Sequence, residues 1–215
     1  MASSERPFAG PQSPAVGTRT PVGVDVGERT LVAAAPVHGR PEEAFTIEGD
    51  HVRESFRLLR SLMDALEHFG SDTTSAETAL VAAFWKERLK GQVHGAAAQT
   101  VQYAREFPGA VLVLEELPYT QRPLYEQRHD AGEIGTWLLP ALQDALVAKA
   151  VDAGLPVAWI DPAGTSVECH ACGERGERGD RTERLRRQFR CLNDDCPVDV
   201  VDADASAAVS IAKRV

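Results

Sequence analysis

Four cysteines near the carboxyl end most constrain how this chain can fold, and they are all the cysteines that the sequence contains. They stand in two pairs, the first with two residues between its members and the second with four. Four thiolates on two such turns can close a tetrahedral zinc site. Disulfide bonds are the less favoured alternative, because we expect no secretory signal. The spacing predicts a zinc ribbon with one structural Zn²⁺ bound by Cys169, Cys172, Cys191 and Cys196.

Three acids stand at the ends of apolar runs or at the start of a helical pattern. Asp25 interrupts an apolar run, Glu115 follows another, and Asp204 precedes a stretch of small residues. Such an acid is costly to desolvate unless it is paired or binds a metal. Carboxylate oxygens suit Mg²⁺ or Mn²⁺, and two such ions about 4 Å apart can promote phosphodiester hydrolysis. The alternative is that all three are solvated acids, the last of them near a helix cap.

The hydrophobic pattern predicts a mixed α/β architecture. We expect a β-hairpin, a third strand, a helix, and a second helical region that Gly91 and Gly95 can break. A buried strand, a third helix, a last strand, the ribbon and a terminal helix follow. The expected ranges before the ribbon are 21–37, 44–48, 52–66, 76–107, 111–114, 136–151 and 156–160. This order favours a mixed sheet with helices packed on it.

The net charge of −9 is unexpected for a protein that binds nucleic acid. Seven arginines nevertheless fall between positions 175 and 190. Because arginine binds phosphate bidentately and stacks on bases, this run predicts a local DNA or RNA contact surface. A solvated ribbon arm is the alternative, since acids alternate with the arginines. The residues with the strongest claim to nucleic-acid contact are Arg184, Arg186, Arg187 and Arg190.

No apolar run reaches the roughly 18 residues that a membrane-spanning helix needs. We therefore expect no membrane partner, and a cytoplasmic protein whose thiols are reduced or bound to zinc.

The ordered motifs resemble the carboxy-terminal half of the TnpB (OrfB) proteins of bacterial and archaeal insertion sequences. These proteins are relatives of the type V CRISPR effector nucleases. The resemblance covers about residues 21–215, and its matching segments are 23–27, 113–117, 161–173 and 202–208. It implies an RNase H-like (RuvC) fold, in which a mixed sheet with flanking helices carries an inserted zinc ribbon.

The resemblance also implies a role as an RNA-guided DNA endonuclease in transposon maintenance. By motif position, Asp25, Glu115 and Asp204 would be the catalytic ligands of Mg²⁺ or Mn²⁺, with DNA and a guide RNA as partners. Ser206 stands where the family usually has asparagine. His170, between two cysteines, is redundant as a fifth zinc ligand.

The domain organisation implied is a disordered segment, two parts of a RuvC-like domain, and the ribbon between those parts. The disordered segment would cover residues 1–20, the RuvC-like domain residues 21–164 and 197–215, and the ribbon residues 165–196. Only about twenty residues precede the first motif, where the family carries a long recognition region. We therefore expect a separate polypeptide to supply that region. The alternative is a truncated DNA- or RNA-binding remnant without catalysis.

Overall fold

The computed structural model describes residues 19–69, 75–117, 135–179 and 187–215. Within these ranges the strands are β1 Thr20–Val26, β2 Thr30–Pro36, β3 Phe45–Glu48, β4 Ala110–Glu115, β5 Val157–Ile160, β6 Gly176–Arg178, β7 Gln188–Cys191 and β8 Val200–Asp202. The helices are α1 Asp50–Phe69, α2 Ser75–Ala104, α3 Gly135–Asp152 and α4 Ala203–Ala212, with a 3₁₀ turn at Pro41–Glu43. Residues 1–18 of the predicted disordered segment lie outside the described residues, as do Arg184 and Arg186.

Five strands form one mixed sheet in the order β3-β2-β1-β4-β5. β1 and β2 make the predicted antiparallel hairpin, with Asp25 opposite Ala33. β1, β4 and β5 run parallel to one another. All six residues of β4 are buried, as a continuous apolar run predicts for a strand that is covered on both faces.

Helices cover both faces of this sheet. Side chains alternate between the faces along a strand, and Val22 and Val24 of β1 join a core cluster formed with α2 and α3. On the other face, Val113 of β4 packs with Ile160 and with Ile211 of α4. The sheet therefore lies between α2 and α3 on one side and α4 on the other.

Helix α2 continues through Gly91 and Gly95, so the predicted breaks at these residues are wrong. Each glycine in a helix costs only about 1 kcal/mol relative to alanine. Burial of Leu89 and Val93 on the same helix offsets that cost. None of the described helices is long and apolar enough to cross a membrane.

α4 lies very close to the sheet at Gly23. An added Cβ at this glycine would stand 2.1 Å from the carbonyl oxygen of Ala208 and 2.5 Å from the backbone nitrogen of Ala212. Only a residue without a side chain allows this approach, and the small residues of α4 complete it. The contact places the first turn of α4 near the carboxyl end of β1.

The zinc-ribbon region forms a separate three-stranded antiparallel sheet in the order β6-β7-β8. Phe189 and Cys169 are buried at its centre with Ala203. β8 passes without a loop into α4. The first residues of α4 are therefore held by the ribbon sheet on one side and by the main sheet on the other.

Candidate carboxylate and zinc sites

The three predicted carboxylates come from three elements whose ends meet. Val24 pairs with Leu114 across the parallel strands β1 and β4, so Asp25 and Glu115 are the next residues on neighbouring strands. Burial raises the pKa of Asp25 well above its ordinary value of 3.8, and the charges of Asp204 and Glu115 raise it further. The structure therefore brings all three acids into one electrostatic cluster.

Asp202 and Asp204 have different roles at the start of α4. Oδ1 of Asp202 accepts hydrogen bonds from the backbone nitrogens of Asp204 and Ala205, at 3.0 and 2.9 Å. This is the helix-cap role that was the alternative explanation for acids here. Because Asp202 caps the helix, the side chain of Asp204 does not serve as the cap, and its charge acts on Asp25 in the carboxylate cluster.

Glu115 is 6% exposed and is held at both its backbone and its side chain. Nε2 of Gln143 on α3 donates to the Glu115 carbonyl oxygen at 2.9 Å. The hydroxyl of Thr165 donates to Oε1 of Glu115. Burial raises the pKa of Glu115, whereas the bond from Thr165 and the charges of Arg214 and Arg178 act in the opposite direction.

A cation of the ribbon already lies in the carboxylate cluster. The guanidinium of Arg178 on β6 is 3.0 Å from Oδ1 of Asp204. Its positive charge offsets part of the increase in the pKa of both Asp25 and Glu115. Neither Arg178 nor Thr165 was among the predicted site residues, although the arginine-rich run contains the first and the segment 161–173 contains the second.

The four predicted zinc ligands also come together. Their sulfur atoms all lie within 4.8 Å of one another, and among the described residues no other group of three or more metal-binding side chains does so. Two of the S···S distances are 3.8 Å (Cys169 to Cys196) and 3.6 Å (Cys172 to Cys191). Tetrahedral zinc with Zn–S bonds near 2.3 Å requires about 3.8 Å between sulfurs. The cluster therefore has the dimensions of a zinc site.

The thiols of this cluster differ in acidity. A backbone hydrogen bond from Glu174 lowers the pKa of Cys172 to about 7. A backbone bond from Asn193 acts in the same direction on Cys191, but burial and the neighbouring thiols outweigh it and raise that pKa to about 12. The raised pKa of Cys191 opposes its ionisation at neutral pH, and a bound cation would compensate the charge of the thiolate. A divalent ion that prefers sulfur ligands fits this donor set.

The first cysteine turn is fastened to α4 by a set of polar contacts. Nδ1 of His170 is 3.0 Å from Oγ of Ser206, and Nζ of Lys213 donates to the His170 carbonyl oxygen. Arg214 forms an ion pair with Glu168 at 2.5 Å. His170 is thus bonded to the terminal helix instead of completing the sulfur cluster.

The described arginines predicted to contact nucleic acid differ in how freely they can do so. Arg187 donates to Oε1 of Glu48 at 2.7 Å and to the Thr30 hydroxyl at 2.8 Å, so it joins the ribbon to the main sheet. The Arg190 side chain is 69% exposed and lies 4.0 Å from Asp199. Of the two, Arg190 is the better placed to meet a phosphate.

Residues 141–211 match the protein family described as Cas12f1-like, TNB domain. This segment includes most of α3 and continues through β5, the ribbon and nearly all of α4. No curated protein sequence matches the chain.

Solved structures of CRISPR effectors share the fold. The chain is 16% identical to Cas12f1 in a complex with sgRNA and target DNA, with a TM-score of 0.69 over 91% of this chain and 50% of that chain. For a CRISPR-Cas12f ternary complex the sequence identity is 17% and the TM-score is 0.67, over 94% of this chain and 40% of that chain. For CasPhi-2 (Cas12j) bound to crRNA the sequence identity is 14% and the TM-score is 0.51, over 91% of this chain and 48% of that chain.

The chain therefore spans half the length of these proteins or less. At such identities the likeness establishes the fold. The predicted RNase H-like (RuvC) α/β fold, with a mixed sheet, flanking helices and a cysteine cluster with zinc-site dimensions, is confirmed.

Proposed function

We propose that this chain is the nuclease part of a TnpB-like, RNA-guided DNA endonuclease and hydrolyses phosphodiester bonds with Mg²⁺ or Mn²⁺. The observation that carries the proposal is the convergence of Asp25, Glu115 and Asp204 from β1, β4 and α4. Burial and mutual repulsion raise the pKa of Asp25, which is the condition that a bound cation relieves. Clusters of oxygen ligands at the end of a sheet suit these hard cations.

In this proposal the three carboxylates hold the metal ions and orient them toward a phosphodiester. When bound, a pair of such ions activates the attacking water and stabilises the leaving oxygen. Asp25 and Glu115 supply fixed, desolvated charge from adjacent strands, where the sheet restricts their movement. Asp204 supplies the third carboxylate from a helix whose cap is made by Asp202. Arg178 balances the charge of Asp204 and must give way when a cation binds there.

The four cysteines would bind one structural Zn²⁺, which holds the ribbon against α4. The S···S distances and the small-residue packing around Phe189 support this part of the proposal. Zinc in a closed four-sulfur site contributes to folding and leaves no open position for catalysis.

DNA is the proposed substrate, and a guide RNA directs its cleavage. The proposed setting is the cytoplasm, where the protein acts in transposon maintenance. The similar solved structures are complexes with sgRNA, target DNA or crRNA, which supports nucleic acid as the partner. The net charge of −9 argues that this chain alone provides little phosphate neutralisation. We therefore propose that a recognition part outside these 215 residues holds the guide RNA and most of the duplex.

The test is cleavage of labelled single- and double-stranded DNA by the zinc-loaded chain with Mg²⁺ or Mn²⁺. Asp25→Asn and Glu115→Gln each remove one metal-binding charge with little change in volume, so both should abolish cleavage. Glu116→Gln is the matched control, because Glu116 is the exposed neighbour of Glu115 and should tolerate the change.

Cleavage by the wild type and by Glu116→Gln, but not by the other two variants, would support the proposal. Equal cleavage by all four proteins would indicate a contaminating nuclease and refute it. DNA or RNA binding without cleavage, by a folded protein that contains zinc, would favour the non-catalytic remnant instead.

A further inference from the structure

Thr165 is a buried residue, and none of the sequence motifs gives its hydroxyl a role. It is 2% exposed and lies in the loop that follows β5. Its hydroxyl contacts Oε1 of Glu115, which is 50 residues earlier in the chain. We propose that Thr165 is a positioning residue that holds Glu115 ready to bind a metal ion; this inference rests on the proposed function of the carboxylate cluster.

The register of the sheet brings the two residues together. Glu115 pairs with Ile160 across the parallel strands β4 and β5. The loop after Ile160 therefore begins beside Glu115 and turns back over it. A threonine five residues beyond the strand can reach the carboxylate only if this loop has one fixed shape.

Several contacts give the loop that shape. Oδ1 of Asp161 accepts a hydrogen bond from the Ala163 nitrogen at 2.8 Å. Arg214, just beyond α4, donates to the carbonyl oxygens of Asp161 and Ala163 at 3.0 and 2.7 Å. Gly164 adopts a φ of 88°, which a residue with a side chain would resist. These contacts hold the backbone of the loop that carries Thr165, and none of them involves Glu115.

The hydroxyl has one proton and two acceptors within reach. Besides Oε1 of Glu115, the Pro162 carbonyl oxygen lies 2.9 Å away. That carbonyl also accepts the Thr165 backbone N–H at 3.3 Å, so it does not depend on the hydroxyl. A carboxylate is the stronger acceptor. The proton is therefore directed to Glu115 when Glu115 is ionised.

The consequence for a metal site follows from which oxygen is held. The bond from Thr165 to Oε1 restrains the rotation of the carboxylate and therefore sets the direction in which its remaining lone pairs can meet a cation. A buried carboxylate without this donor would lose a hydrogen bond to its charged form and the restraint on its rotation. Hydrogen bonds that orient metal ligands typically account for about 10- to 100-fold in metal affinity.

The experiment measures Mn²⁺ binding to the zinc-loaded full chain by the loss of the free-ion EPR signal. Thr165→Val keeps the shape and removes the hydroxyl, and should weaken Mn²⁺ binding by about tenfold or more, whereas Thr165→Ser should retain wild-type affinity within about twofold. The matched control is Thr100→Val on α2. Thr100 is also buried and its hydroxyl donates to the Ala96 carbonyl at 2.9 Å, so this variant loses a buried hydrogen bond away from the site.

Melting temperature and zinc content establish that each variant is folded. If Thr165→Val does not fold, Thr165→Ala removes the same hydroxyl and is expected to show the same loss. Wild-type affinity in a folded Thr165→Val or Thr165→Ala protein would overturn the assignment, as would an equal loss in Thr165→Ser. A wild-type chain that binds no Mn²⁺ would instead refute the carboxylate site on which the proposed function depends.

Discussion

Gly23 provides the sharpest test of how α4 is positioned. Replacing it with alanine adds one methyl group, which would stand 2.1 Å from the Ala208 carbonyl oxygen and 2.5 Å from the Ala212 nitrogen. Ordinary contact begins at 3.4 Å, so the helix would have to move by about 1.3 Å. The neighbours are backbone atoms of a helix and cannot rotate away.

We expect Gly23→Ala to lower the free energy of unfolding by about 3 kcal/mol, at the upper end of the usual cost of overpacking. For a chain of this size that corresponds to a fall of about 6–12 °C in melting temperature. Gly23 does not have a positive φ, so strained backbone does not contribute to the cost. Mn²⁺ binding should also weaken, because Asp204 lies on the helix that is displaced.

Urea unfolding and Mn²⁺ titration would measure the two effects. Gly91→Ala is the matched control, because an added Cβ there meets nothing within 4 Å. That variant should gain about 1 kcal/mol from the higher helix propensity of alanine and should bind Mn²⁺ normally. A Gly23→Ala protein as stable as the wild type, with unchanged Mn²⁺ affinity, would show that α4 does not depend on this contact.

Two further predictions concern charge and zinc. Burial and neighbouring acids raise the pKa of Asp25 in the folded state, so the cost to folding grows as the pH rises from the ordinary value of 3.8 to the folded-state pKa and is complete above it. Without added divalent cations, Asp25→Asn should therefore stabilise the protein at neutral pH. Urea titrations should show that the extra free energy of unfolding of Asp25→Asn shrinks as the pH is lowered, because the wild-type carboxyl then takes up its proton. The difference should also vanish with Mg²⁺. A difference that is independent of pH would contradict the electrostatic explanation. The purified chain should contain about one zinc ion, and chelation should release it with loss of ribbon structure. Elemental analysis and limited proteolysis check this, and an unchanged digest of zinc-free protein would refute the structural role.

The parts of the fold that the sequence predicts are those encoded locally. The alternating or continuous apolar runs of β1, β2 and β4 show their strand character over a few residues, and the structure contains all three. The paired cysteines likewise mark their own turns. Acids at strand ends could be singled out because a charge beside an apolar run is costly in isolation.

The contacts that the sequence did not predict join residues far apart in the chain. Thr165 is 50 residues from Glu115, and Arg178 is 26 residues from Asp204. Neither has a distinctive local pattern: one is a polar residue in a loop, the other is one of several arginines. Arg187 was predicted to contact nucleic acid from the arginine-rich run alone. Its ion pair with Glu48, which is 139 residues away, could not be inferred from that run.

The terminal helix can be regarded as a lever. Its ten residues form a rod about 15 Å long. Just beyond its carboxyl end, Lys213 and Arg214 contact residues of the first cysteine turn. Asp204 lies at its amino end. A rotation of about 5° around the clasped end would carry the first turn about 1.3 Å, more than the roughly 0.5 Å that a preorganised site tolerates. The contacts of Lys213 and Arg214 would therefore limit how far Asp204 can move, although they lie at the opposite end of the helix.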